Sequence, residues 1–398
     1  MHGSAHGRNR LAISGIKVFL ICVLMVGLEF SSAWAQEQSS TQIGPTGVIV
    51  HSQFGGQIFG FDIDQNGSEG VLTEAKTGSG GKVLAAIETF DQASGKILKV
   101  VKKTTTMDDF LTLGVVGNSV GLIEHEHVQG ALNVIRTFGT INPLSSNMLT
   151  GTWTPPLQKN DLISAVSRNQ GGTNSAVLAF RNTAAETRFV FSSNVAGNTF
   201  GPRVQLTDPT FTSNPQLAYD PIHNVAVVAA SDGAVGGPAP QIALVNLTTG
   251  QVTQFTGILG PPPFHQGFIN GLAVDAEDQI AVTTTEVDFS VEFYNLTTQT
   301  GFSLVLPGAT GQLQSGSDVE YDPVNKLFFV AQEFSSTSSG SSIQVYDIHG
   351  NLVESLNGFS FSNSFNVIPT HIALNPTNRT GYVDGPDAGV TQVQQFSY

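Results

Sequence analysis

A single cysteine, Cys22, and charges on only 12% of residues exclude two ways of holding a chain of 398 residues together. There is no disulfide framework to staple it, and there are too few charges for an ion-laced helical array. Long helical-period segments are absent. So are apolar runs of about 18 residues, the length needed to span a membrane. There is no G-x-S-x-G nucleophile elbow, since the one match to that pattern, Gly117–Gly121, leads into the strand-like run from Leu122 and not into a helix. H-E-x-x-H and G-x-x-x-x-G-K-S/T do not occur, which removes the sequence signatures of an esterase elbow, a zincin and a phosphate-cradling loop. Basic residues are also scarce, 17 Lys+Arg against 31 Asp+Glu. That balance argues against nucleic acid or an anionic membrane surface as a partner.

The N-terminus has the layout of a cleaved signal peptide. Arg8, Arg10 and Lys17 precede the apolar run Val18–Leu28, and Ala33-Trp34-Ala35 supplies a small-x-small cleavage site. Cleavage after Ala35 predicts a secreted or periplasmic chain starting at Gln36, with no cysteine left. Losing Arg8, Arg10, Lys17 and Glu29 with the signal takes the formal balance from −14 to −16. Residues 36–46 read as a flexible polar leader, and 47–398 as one domain.

What is abundant is Gly, Ser, Thr, Val and Phe, the residues of strands and turns. They are organised as a repeat. L-A-Y-D-P-I-H-N-V-A-V-V from Leu217 aligns with L-A-V-D-A-E-D-Q-I-A-V-T from Leu272. V-E-Y-D-P-V-N-K-L-F-F-V from Val319 and I-A-L-N-P-T-N-R-T-G-Y-V from Ile372 follow the same plan. Each is a strand, an Asp or Asn turn, and a second strand. A second hairpin follows, as in I-A-L-V-N-L-T-T-G-Q-V-T-Q-F from Ile242 and I-Q-V-Y-D-I-H-G-N-L-V-E-S-L from Ile343. Starts at Gln57, Asp109, Asp161, Pro215, Asn270, Ser317 and Thr370 define seven units of four strands.

Units too small to bury their own faces, repeated at this period, predict an all-β fold, a seven-bladed β-propeller of four-stranded blades. A β-sandwich or two smaller all-β domains would lack the unbroken period. The last unit stops one strand short. The spare strand Gly47–Ser52 is expected to complete it, giving closure by an N-terminal strand.

The pattern L-A-x-D-P followed by N-L-T-T-G-Q-V resembles the YVTN-repeat and NHL-type propellers, including lactonase-like ones, over essentially the whole chain after the signal. That resemblance implies a propeller and leaves open a binding scaffold, a hydrolase or a lyase. I-N-G-L-A-V-D from Ile269 also resembles the Asn-Gly-Leu segment of gluconolactonase/regucalcin-like propellers. This resemblance implies Asn270 as a ligand to a divalent metal. The early Glu-Gly-Pro segment of those proteins is missing, and Ser317 occupies the register equivalent to Asn270 where their Asp is expected.

In a propeller the residues opening each innermost strand ring one mouth of the channel. Here they are Gln57, Asp109, Asp161, Gln216, Asn270, Asp318 and His371. Carboxylate and amide oxygens so arranged suit a hard divalent cation such as Ca²⁺, with Asn270, Asp318, Asp161 and Asp109 as candidate ligands. The same residues serve equally as polar caps on buried strand ends. His371 is the candidate general acid or base, with His265 on the loop before the fifth unit as another. Ile123–His127, I-E-H-E-H, puts His125 and His127 on one face of a strand, two ligands where zinc needs three or four. The leading functional expectation is a monomeric binding or interaction scaffold for a small molecule, glycan or protein. The alternative is a metal-assisted lactonase-like hydrolase or lyase at the channel mouth.

Overall fold

A computed structural model describes residues 43–63, 68–77, 83–103, 108–115, 121–129, 133–141, 149–153, 161–166, 175–182, 187–194, 199–212, 215–231, 239–258, 268–285, 290–307, 316–332, 342–359, 371–387 and 390–398. Residues 101–199 are described as backbone, apart from the Val190 side chain. The signal segment, residues 36–42 of the leader, His265 and Thr370 lie outside the described residues, as do the side chains of His125 and His127. Among the described residues no helix is long and apolar enough to cross a membrane.

The turns build the repeat. Asp220 accepts the Ile222 and His223 N–H groups on one carboxylate oxygen, at 2.9 and 3.0 Å. Asp275 does the same for Glu277 and Asp278, and Asp322 for Val324 and Asn325. This Asp turn folds the chain back on itself, and the residue that ends it is left-handed: Asn224, Gln279, Lys326 and Arg379 have φ between 52° and 56°. The second hairpin uses the same device in the fourth and sixth units. Asn246 accepts from Thr248 and Thr249, Asp347 accepts from His349 and Asn351, and Gly250 and Gly350 supply the positive φ.

Between turns, β-branched and aromatic residues alternate, and the strands pair in sequence order into antiparallel sheets. In chain order these span Gln57–Lys103, Asp108–Trp153, Asp161–Leu206, Gln216–Thr256, Ile269–Val305, Gly316–Leu356 and Ile372–Ser397. Six hold four strands. In the third sheet the outer strand is split into two short segments, both paired to Thr187–Asn194. The only other regular element described is a short 3₁₀ turn, Pro209–Thr212.

The last sheet takes its fourth strand from the other end of the domain. Gly44–His51 pairs antiparallel with Val390–Ser397, with Gly44 opposite Ser397 and His51 opposite Gln392. This strand opens at Gly44, three residues before the expected Gly47. An irregularity between Pro45 and Ile49 lets the Pro45 region join the ladder although proline cannot donate to it.

No sheet holds the core alone. One apolar cluster joins Val227, Ala229 and Ile242 of the fourth sheet to Val274, Ala281 and Tyr294 of the fifth. Others join the fifth to the sixth and the sixth to the last. Phe61, Leu72 and Phe90 of the first sheet pack on Ala373, Tyr382 and Val393 of the last. Polar bonds run across the same seams. Gln279 Nε2 donates to Asp220 Oδ2 at 2.7 Å. At the first–last seam Asn375 Nδ2 donates to Gln92 Oε1 at 3.1 Å, while Tyr382 and Gln395 both donate to the Gln92 carbonyl.

Candidate functional site

The lead strand of five sheets carries a β-bulge, at Phe59, Leu113, Ser164, Asn270 and Ser317. A bulge re-aims the chain, and such irregularities concentrate at sheet edges and functional sites. Asn270 and Ser317 are therefore equivalent positions in the backbone, as the sequence register has them. Asp109 and Asp161 are not. They stand four and three residues ahead of their own bulges, opposite Glu126 and Asn182, and their side chains lie outside the described residues.

Asn270, half-buried, is followed by Gly271, and the structure explains the pair. A Cβ on Gly271 would lie 2.6 Å from the Val319 nitrogen and 2.8 Å from the Asp318 Cα. Two lead strands thus approach backbone to backbone, and only glycine permits it.

Asp318, on the far side of that contact, is buried. Its Oδ1 accepts the Val319 N–H at 2.9 Å and its Oδ2 accepts the Ile372 N–H, in the next sheet, at 3.0 Å. Each carboxylate oxygen therefore holds a backbone amide, one within its own sheet and one across the seam. The structure brings three sequence candidates into one arc: Asn270 beside Gly271, Gly271 against Asp318, and Asp318 bonded to the residue after His371.

His371 has a partner that no short motif announces. Its Nδ1 lies 2.9 Å from Asp384 Oδ2, and its N–H donates to Asp384 Oδ1 at 2.5 Å. Asp384 is 2% exposed and the His371 side chain 19% exposed. The imidazole is also edge-on to Phe61 of the first sheet, with ring centroids 6.4 Å apart. A buried carboxylate holding Nδ1 fixes the ring's tautomer and orientation, the arrangement that a general base requires. Asp384 could have been found by counting back from the turn. Asn375 pairs with Thr380, which sets His371 opposite Asp384.

No protein-family model matches the chain, and no curated protein matches it. Solved structures do. The β-propeller domain of Cps50 (Swd1) from Myceliophteria thermophila aligns with a TM-score of 0.54 at 10% identity, covering 89% of this chain and 99% of that one. The Dos1 propeller aligns at 0.55 and 11%, covering 91% and 87%. A chain of the mitotic checkpoint complex aligns at 0.58 and 11%, covering 89% and 90%.

The fold is a β-propeller.

Asn270, Asp318 and His371 stand at or just before the starts of three lead strands. Other polar groups sit in a buried layer that sequence reading missed. Glu88, Glu292 and Gln344 occupy one position in the third strands, opposite Leu72, Thr283 and Val330. Glu292 accepts from Ser290 Oγ at 2.5 Å and from Thr283 Oγ1 at 3.2 Å. On the second strands Glu74 and Gln332 are likewise equivalent, opposite Ile58 and Gly316, and Gln332 Nε2 reaches the Pro307 carbonyl at 3.1 Å. Burial and the neighbouring Glu88 push the Glu74 carboxyl up to about 7, against the opposing pull of its bonds from Ser52 and Gly56. Among the described residues no group of three or more His, Cys, Asp and Glu side chains is gathered as a metal site.

Proposed function

We propose that this chain is an exported propeller of seven blades, closed by its N-terminal strand, and that it works as a protein-binding scaffold. The seven described sheets serve as the blades, and the pairing of Gly44–His51 with Val390–Ser397 supports the closure. One observation carries the binding reading. Large apolar side chains stand exposed on the outer strands of two neighbouring blades, Phe302 and Val305 on one and Leu352 and Val353 on the next. The blades meet there, since a Cβ on Gly350 would lie 2.7 Å from the Phe302 ring. Exposed apolar side chains on two adjoining outer strands suit a protein partner better than a glycan or a small polar molecule. The mitotic checkpoint complex supplies a precedent for a similar fold inside a protein assembly. Photo-crosslinkers placed at Val305 and Val353 in the native host are expected to trap one discrete partner. The same probe at exposed Ser94 in the first sheet should not. Equal yields at all three positions would overturn the assignment.

The His371–Asp384 pair favours a second reading, a lactonase-like hydrolase or lyase at the channel mouth. In that reading His371 is the base, Asp384 orients it, and Asn270 and Asp318 offer oxygens to a divalent cation such as Ca²⁺. Lactone turnover by the purified chain, lost in both His371→Ala and Asp384→Asn, would support it. Turnover indifferent to both would remove it.

A further inference from the structure

The segment Ser52–Gly56 carries the chain from the strand that completes the last sheet to the lead strand of the first. It is held by two carboxylates buried beneath it, Glu74 and Glu88, both 0% exposed. Glu88 accepts the Gln53 and Phe54 N–H groups at 3.0 and 2.9 Å. Glu74 Oε2 accepts the Ser52 hydroxyl and, at 2.8 Å, the Gly56 N–H. Ser52 Oγ in turn accepts the Gly55 N–H at 2.7 Å. Lys76 closes the lid from the side, its ammonium 4.2 Å from the Phe54 ring centroid and bonded to the Phe54 carbonyl.

Four donors of the segment, the Ser52 hydroxyl and the Gln53, Phe54 and Gly56 N–H groups, are thereby spent on three of the four carboxylate oxygens. The fourth, Glu74 Oε1, is buried with no protein donor within reach. Its remaining neighbour is Glu88, an acceptor. Glu74 and Glu88 stand diagonally on one face of the first sheet, Glu74 opposite Ala86 and Glu88 opposite Leu72. An orphan oxygen beside a second carboxylate, away from water, is satisfied by a proton held between them.

We propose that Glu74 and Glu88 share one proton and form a latch that fastens the Ser52–Gly56 segment, and with it the N-terminal strand, to the first sheet, and that losing this proton loosens the latch. The reading stands on the strand pairing and these hydrogen bonds, and is independent of what the propeller binds.

Other ionisable groups on the surrounding elements have partners of their own, while the side chains of Asp108 and Asp109, on the lead strand of the second sheet that packs against the first, lie outside the described residues. Asp62 on the lead strand accepts the Ile63 N–H, and Lys76 is turned to Phe54. From the last sheet His371 and Asp384 hold each other, and Tyr382 donates to Gln92. Lys99, on the fourth strand of the first sheet, pairs opposite Thr89. The charge that bears on Glu74 is that of Glu88. The sixth sheet offers an internal comparison. There the equivalent residues are the amides Gln332 and Gln344, bridged by Ser342, and no proton is needed.

Amide hydrogen exchange at Gln53, Phe54 and Gly56, referenced to intrinsic exchange at each pH, tests the latch. Protection in the wild-type chain is expected to fall by up to about tenfold per pH unit between pH 5 and 7. In Glu74→Gln, whose amide can donate to Glu88 at any pH, protection should stay flat. A flat wild-type profile, or the same fall in Glu74→Gln, overturns the proposal. The ¹³C shift of the wild-type Glu74 carboxyl decides the matter without a variant. A midpoint near 7 sustains the shared proton, and one below about 5 rejects it.

Discussion

Replacing Asp318 separates a structural clamp from a cation ligand. The side chain is buried and its two oxygens hold the Val319 and Ile372 amides, so Asp318→Ala leaves two backbone donors without their acceptor. Each orphaned donor costs about 1–3 kcal/mol, which puts the loss at roughly 2–6 kcal/mol. Asp318→Asn keeps one acceptor but turns an NH₂ toward the other amide, for roughly 1–3 kcal/mol. Urea unfolding followed by far-UV circular dichroism reads both as a lower midpoint with the slope unchanged. The Ile372 amide should also lose hydrogen-exchange protection, because that bond crosses a seam between sheets. A cation ligand would behave differently. Saturating Ca²⁺ at about 100 times its Kd would stabilise the wild-type chain by about 2.7 kcal/mol, and the variants would lose that increment. Asp318→Ala within about 0.5 kcal/mol of wild type would refute the clamp.

Other perturbations probe the remaining contacts. Gly271→Ala places a methyl against the backbone of the next lead strand and should cost about 1–3 kcal/mol, whereas Asn270→Ala should stay within about 0.5 kcal/mol; denaturant midpoints compare them. Gln92→Ala removes the acceptor of Asn375 at the first–last seam and should lower stability by about 1 kcal/mol, with faster exchange at that seam. Glu74 makes stability depend on pH. Its carboxyl sits near 7 in the folded chain against 4.5 for an ordinary glutamate, so its contribution is full below about pH 4.5 and is lost as pH rises through 7. That loss is about 3 kcal/mol, and the slope should vanish in Glu74→Gln.

The repeat was legible because its turns are chemical. Asp220, Asp275 and Asp322 must accept their turn amides, so Asp persists at that place and the strands can be counted from it. In the first three units no such Asp-Pro turn anchors the count. The starts assigned at Gln57, Asp109 and Asp161 accordingly run two to four residues ahead of the bulges at Phe59, Leu113 and Ser164. Asn270 and Asp318 stood out as oxygen-bearing residues at strand starts. What the sequence does not show is that Asn270's neighbour Gly271 answers a backbone contact 47 residues further on, at Asp318. Glu74 and Glu88 were passed over because charged residues on strands normally face water, and their burial depends on a segment arriving from another sheet.

The pairing of the two terminal strands also sets how the domain responds to load. Gly44 and Ser397 face each other at the same end of an antiparallel ladder whose hydrogen bonds run across the strands. Tension applied between these two points peels that ladder one rung at a time, beginning at the irregular Pro45–Ile49 stretch. The seams between the other sheets carry none of the strain until this zipper has opened. A host that tethers the molecule by one end and pulls on the other would detach the N-terminal strand first and leave the remaining sheets folded.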